Sequence, residues 1–178
     1  SESPILSADA AEAIFKELGG DYRKDDMVVD SLGVGAGTAG TLMQRGYAVV
    51  TYKGGEASDN PKEYRNRRTQ SYMAMRNAHR DGRIVYHDNF LSEQDGVEGD
   101  WDEFTAQLCS IRTKPGAERV EELETKQELM ARGIASPDRA DSMAMLFATQ
   151  LPSAPIRLTA IHTTDSIASK QEIGRAHV

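Results

Sequence analysis

An α/β fold is what this sequence predicts, on three observations. Short apolar runs, MVVD at 27–30, YAVVTY at 47–52 and RIVYH at 83–87, alternate with stretches whose apolar residues recur at helical spacing. Glycine or proline punctuates most of the junctions between them. A glycine-rich segment follows the first apolar run directly and leads into a helix. This alternation argues for strands covered by helices.

Taken in order, Ser7 to Leu18 reads as a helix with Ala11, Ile14, Phe15 and Leu18 on one face, ended by Gly19-Gly20. Met27 to Asp30 is a buried strand ending on an acid. Ser31 to Gly40 reads as a glycine-rich turn, and a helix continues through Leu42 and Met43 to Arg45. Tyr47 to Tyr52 is the next strand, and residues 54–60 are loop. Pro61 is placed to open a long helix that runs to about Asp81, because proline is tolerated in a first turn. Arg83 to His87 is a short strand, and Trp101 to Leu108 a helix. Ser110 to Thr125 holds two weak strand patterns around Pro115-Gly116, which predicts a hairpin. Lys126 to Arg132 is a short helix stopped by Gly133. A last helix begins at Ser136-Pro137, with Ser136 as the expected N-cap.

Composition bounds the function. The chain has 178 residues, 39% hydrophobic and 28% charged, in the range of one globular domain. No apolar run is long enough to span a bilayer. Cys109 is the sole cysteine, so no internal disulfide forms. The four histidines (79, 87, 162 and 177) make no zinc pattern with it. The net charge of −7 lacks the basic signature usual for nucleic-acid binders. The charge is unevenly spread, however. Residues 62–83 carry Lys62, Arg65, Arg67, Arg68, Arg76, Arg80 and Arg83 against Glu63 and Asp81, whereas 93–103 is acidic without a base.

Three stretches point to chemistry. In SLGVGAGTAG, Gly35, Gly37 and Gly40 satisfy the dinucleotide-binding pattern G-x-G-x-x-G after a strand and before a helix. Against that reading, YAVVTY lacks the terminal acid that would hold a ribose, and Asp30 would repel a pyrophosphate. A packing turn is the alternative. Asp30 itself closes a buried strand, where α/β sheets place their sites, although a turn or cap role fits too. In ASPDRADSMAMLFATQ, Ala140, Met143, Ala144, Phe147 and Leu151 form the core stripe. Asp138 and Asp141 flank that stripe about 60° apart on a helical wheel. Two adjacent carboxylates repel unless a positive charge lies between them, and a hard divalent cation is the usual solution.

In sequence order, VVDSLGVGAGTAGTLMQRGYAVV, YRNRRTQSYMAMR and ELETKQELMARGIASPDRADSMAMLFA closely resemble the nuclease domain of viral terminase large subunits, over about residues 8–150. The resemblance implies an RNase H-like, RuvC-like fold and a metal-dependent DNA endonuclease that cuts concatemeric viral DNA during packaging. It implies that Asp30, Asp138 and Asp141 are the catalytic, metal-binding acids, for two Mg²⁺ or Mn²⁺ ions about 3.5–4 Å apart. It puts Arg68, Lys126 and Arg67 on the DNA-binding side. It implies double-stranded DNA as substrate, with the terminase small subunit and the portal or procapsid as partners of the full-length protein, in the host cytoplasm and with no membrane. The rival reading is a Rossmann-type nucleotide-binding domain built on Gly35, Gly37 and Gly40. A non-enzymatic packing fragment is a third.

Relative to the family, no strand precedes Ser7 to supply the first hairpin and its aspartate, and no G-x-x-x-x-G-K-[ST] element is present. The chain begins at Ser1. The expectation is therefore an N-terminally truncated, incomplete nuclease domain over 1–151, followed by a poorly ordered tail over 152–178. Residues 172–178, EIGRAHV, match what a common sequencing adapter would encode and are set aside from fold reasoning.

Overall fold

The computed structural model describes residues 3–17, 19–21, 27–86, 101–115, 120–148 and 156–158. The acidic stretch 93–100, His87, Leu151 and the tail from 159 onward lie outside them. The chain divides into two compact units, residues 1–50 with 159–178, and residues 51–158.

In the first unit, α1 (Pro4–Glu17) packs against α2 (Val34–Gln44); β1 (Met27–Asp30) pairs with β2 (Val49–Tyr52), a strand that only begins in this unit. Helix α1 begins earlier than its periodicity suggested, at Pro4, where a missing N–H costs nothing in a first turn. Ala8, Ala39 and Leu42 are buried in this unit. Arg45 reaches back to Asp9 at 2.7 Å and Glu12 at 2.8 Å. Hydrogen bonds from Lys16 and then Arg45 pull the Glu12 carboxyl down to about 2.

The glycine segment differs from its expected form. The turn is confined to Ser31–Gly33, and Gly35, Gly37 and Gly40 all lie within α2. Gly33 enters the helix at φ 58°, in the left-handed region that glycine adopts freely. Gly35 passes directly over the Asp30 carbonyl, and Gly37 sits against the Pro4 ring, so a side chain at either would collide. Close packing of strand and helix therefore explains two of the three glycines.

In the second unit, α3 (Arg67–Arg80), α4 (Trp101–Ser110) and α6 (Asp138–Met145) enclose the main core. That core contains Tyr72, Met73, Met75, Ala78, Phe104, Leu123, Ala140, Met143, Ala144 and Phe147. β3 (Ile84–Tyr86) pairs in parallel with β6 (Ile156–Leu158), Ile84 opposite Ile156. β4 (Thr113–Pro115) and β5 (Glu121–Leu123) form the expected antiparallel hairpin, Thr113 opposite Leu123. α5 (Lys126–Ala131) follows, and Gly133 at φ 75° turns the chain toward α6. Among the described residues, no helix is long and apolar enough to cross a membrane.

The long helix starts at Arg67, six residues later than Pro61. Residues 61–65 bridge to β5 instead, with the Arg65 N–H donating to the Glu121 carbonyl and the Glu121 N–H to that of Glu63. Asn66 then caps α3, its side chain accepting from the Thr69 N–H. The Arg67 and Arg68 N–H groups donate to the Glu56 and Gly54 carbonyls, and that of Gln70 to the Asn66 carbonyl. All four donors of the first turn are satisfied, so the helix gains nothing by starting earlier.

Two glycines of α2 should respond in opposite directions. Gly35→Ala places a methyl group on the Asp30 carbonyl and should destabilise the protein by more than about 1 kcal/mol. Gly40→Ala meets open space in a helix interior and should stabilise it by about 0.5–1 kcal/mol. Denaturant unfolding of both variants checks this; equal effects would contradict the packing assigned to Gly35.

Candidate metal centre

Four of the residues singled out from the sequence come together in the second unit. Asp141 stands in the first turn of α6, with its side chain 18% exposed. Its Oδ1 accepts from Arg68 Nε at 3.1 Å and from the Tyr72 hydroxyl at 2.6 Å. Its Oδ2 lies 3.0 Å from Lys126 Nζ. The same ammonium is 3.7 Å from Asp138 Oδ1, which also accepts from the Ser136 hydroxyl at 2.6 Å. The charge between the two aspartates is thus a lysine of this chain.

The two acids differ in setting. The Asp138 side chain is 78% exposed, whereas Asp141 faces buried partners. Arg68 engages two of its three nitrogens within the protein, Nε with Asp141 and Nη1 with the Glu124 carbonyl at 3.0 Å. Its Nη2 is buried with no hydrogen-bond partner among the described residues. The guanidinium lies 5.0 Å from the centre of the Tyr72 ring, one helical turn along α3. Burial, and then the charge of Asp141, push the Tyr72 phenol well above its ordinary value, so it remains a donor.

Neighbouring elements hold these side chains in place. The expected Ser136 cap is absent: Pro137 occupies the cap position of α6 and offers no side-chain bond. Gln107 of α4 supplies the cap, its Oε1 accepting from the Arg139 N–H at 2.9 Å and the Ala140 N–H at 3.2 Å. Ser136 instead turns to Asp138. Thr125 and Glu128 form a reciprocal capping box on α5, the helix whose first residue is Lys126. The Thr125 N–H, and then Lys114, lower the Glu128 carboxyl to about 2. Glu124 is buried and bridges the Arg112 N–H and the Arg132 guanidinium. Burial would raise its carboxyl, but the Arg132 hydrogen bonds prevail and lower it.

The other sequence candidates make contacts of their own. Arg67 faces Glu56 at 3.6 Å. Asp30 is exposed at the end of β1 in the first unit, where its Oδ1 accepts from the Leu32 N–H at 3.1 Å. Tyr72, Glu124 and Gln107 were not read from the sequence. Tyr72 stands one helical turn from Arg68, but that spacing alone does not mark it as a partner of Asp141. Glu124 and Gln107 act through long-range contacts that leave no local pattern.

The donor set suits a hard cation. Two carboxylates already converge on one ammonium, and oxygen ligands with no sulfur or imidazole match Mg²⁺ or Mn²⁺. Among the described residues, no group of three or more acidic, histidine or cysteine side chains is close enough to form a complete cage. Mg²⁺ tolerates that, because it keeps several waters and takes only one or two carboxylates.

No family sequence profile matches the chain, and no curated protein does. Solved structures do. The nuclease domain of the large terminase subunit of bacterial virus Sf6, as a lysine-to-alanine mutant with manganese, shares 27% identity at a TM-score of 0.56, over 82% of this chain and 72% of that one. The mutant with calcium gives the same identity and TM-score, over 82% and 71%. The unmutated domain shares 25% identity at 0.54, over 82% and 72%. The fold is α/β and RNase H-like, of the terminase nuclease-domain type that the sequence resembles.

The Arg68–Asp141 contact should carry stability. Asp141→Ala leaves a buried guanidinium unpaired and should cost about 2–4 kcal/mol. Asp138→Ala removes an exposed charge from a helix start and should cost less than about 1 kcal/mol. Thermal or urea unfolding measures both, and similar losses would contradict the difference in setting.

Proposed function

We propose that this chain is the metal-dependent endodeoxyribonuclease domain of a phage DNA-packaging terminase. The observation that carries the reading is a match over 82% of the chain to a terminase nuclease domain solved with manganese and with calcium. The cluster supports it independently, since Asp138 and Asp141 share one cation position.

In this reading Asp138 and Asp141 bind divalent metal, Mg²⁺ or Mn²⁺. Asp30 enters as the third catalytic acid on its sequence motif. The bound metal supplies an activated water and charge stabilisation for phosphodiester hydrolysis. The chain's own residues prepare the site. Arg68 and Tyr72 orient Asp141, and the buried surroundings strengthen their hold on it. Lys126 is half exposed beside the acids and would be available to a phosphate oxygen if Asp138 and Asp141 held a metal instead. Arg67 and the exposed bases of α3 add sequence-independent phosphate contacts, which weaken with salt. The substrate is double-stranded viral DNA in the host cytoplasm. The small subunit and the portal are contacted through the full-length terminase.

In the same reading the nuclease unit is 1–151 and 152–178 follows it, with Ile156–Leu158 joining the fold as β6 against β3. A Rossmann-type role for Gly35, Gly37 and Gly40 loses its footing, because these glycines lie within α2 and two of them serve packing.

The test is cleavage of supercoiled plasmid. The chain should nick it with Mn²⁺ or Mg²⁺, and chelation should stop the reaction. Asp141→Asn and Asp30→Asn should each lower the rate by at least about 100-fold, in line with removal of a metal ligand. Metal-dependent cleavage that survives both substitutions would place the chemistry on other residues.

A further inference from the structure

The two oxygens of Asp141 are held in different ways. Oδ1 receives both buried donors, the Tyr72 hydroxyl and Arg68 Nε. These partners cannot easily leave. Tyr72 is 6% exposed in the main core. Arg68 is tied to the Glu124 carbonyl, and its backbone is fixed by the Gly54 carbonyl at the start of α3. Oδ2 is paired with Lys126, whose side chain is 51% exposed. Lys126 pairs besides only with the exposed Asp138 among the contacts described. One oxygen is therefore fixed and the other is exchangeable.

We infer that Tyr72 is a positioning residue, which with Arg68 fixes Asp141 Oδ1 and reserves Oδ2 for a divalent cation that displaces the Lys126 ammonium. The inference rests on the nuclease reading and adds to it a residue, and a direction of approach, that the sequence pattern did not indicate. The physical basis is that a ligating carboxylate binds best when its orientation is set beforehand. Partners that hydrogen-bond a ligand typically contribute about 10–100-fold in metal affinity or activity. A carboxylate on a short aspartate stem rotates easily about its last bond. Two donors on one oxygen stop that rotation and direct the other oxygen outward. Tyr72 suits the task because its ring is anchored in the core of α3, α4 and α6 while its hydroxyl reaches the edge of that core. Metal at Oδ2 leaves both Oδ1 hydrogen bonds intact, and it frees Lys126 for a substrate phosphate.

Calorimetric Mn²⁺ titration of the whole chain tests this, with Tyr72→Phe compared against Asp141→Asn. Phenylalanine keeps the ring in the core and its face toward Arg68, and removes only the hydroxyl. We expect Tyr72→Phe to bind Mn²⁺ about tenfold more weakly, and saturating Mn²⁺ to restore most of its cleavage rate. A lesion of folding alone would not be rescued in that way. Asp141→Asn should abolish the same binding. If Tyr72→Phe binds Mn²⁺ as the parent does while Asp141→Asn does not, the positioning role is overturned and the nuclease reading stands. If Asp141→Asn also binds normally, Asp141 is no ligand, and the metal site itself is misassigned. Should Tyr72→Phe unfold, Arg68→Lys serves in its place, since it keeps the charge and removes the Nε donor. It too should weaken Mn²⁺ binding, and unchanged affinity would overturn the inference.

Discussion

The contact between Asp141 and the Arg68–Tyr72 pair is the constraint on which the second unit depends. It joins the start of α6 to the start of α3 through a carboxylate that is largely withdrawn from water. A charge in that position is tolerable only with a matched partner and with its remaining lone pairs satisfied. The structure meets both conditions. Arg68 can serve Asp141 because the loop at 54–56 and the Asn66 cap fix the first turn of α3. Asp141 can face Arg68 because Gln107 of α4 caps α6. Four separate stretches of chain thus converge to hold one carboxylate, while the apolar core beneath them holds the helices together.

The cluster also answers the question raised by two aspartates in the first turn of a buried helix. An aspartate in that position favours the helix dipole, and for exposed Asp138 that effect suffices. Asp141 requires more, and Arg68, Tyr72 and Lys126 provide it. Lys126 neutralises the pair while remaining exposed on one side, in the position proposed above for a metal ion. The capping box on α5 keeps it within reach without burying it.

Legibility from sequence followed the range of the interaction. Strands at MVVD and IVY, the 113–123 hairpin and the stop at Gly133 were readable, because periodicity and turn residues specify them locally. The Ala140, Met143, Ala144 and Phe147 stripe was readable for the same reason. Helix starts depart from their local signals where tertiary contacts decide them. Pro61 has the right chemistry for a helix start, yet residues 61–65 find better partners on β5. Ser136 has the right chemistry for a cap, yet Gln107 arrives from another helix. Of the cluster, Asp138, Asp141, Lys126 and Arg68 stand in the motifs, whereas Tyr72 and Glu124 are brought in only by three-dimensional proximity. The glycine pattern shows the converse hazard: it fits a dinucleotide loop by spacing, but Gly35 and Gly37 serve close packing within α2.

The most direct measurement is an anomalous difference map from crystals of this chain soaked in Mn²⁺. The account predicts a peak at coordination distance from Asp141 Oδ2, with the Lys126 ammonium moved away and the Tyr72 hydroxyl still on Oδ1. A peak remote from Asp141, or a Lys126–Asp141 pair left intact beside bound metal, would contradict it.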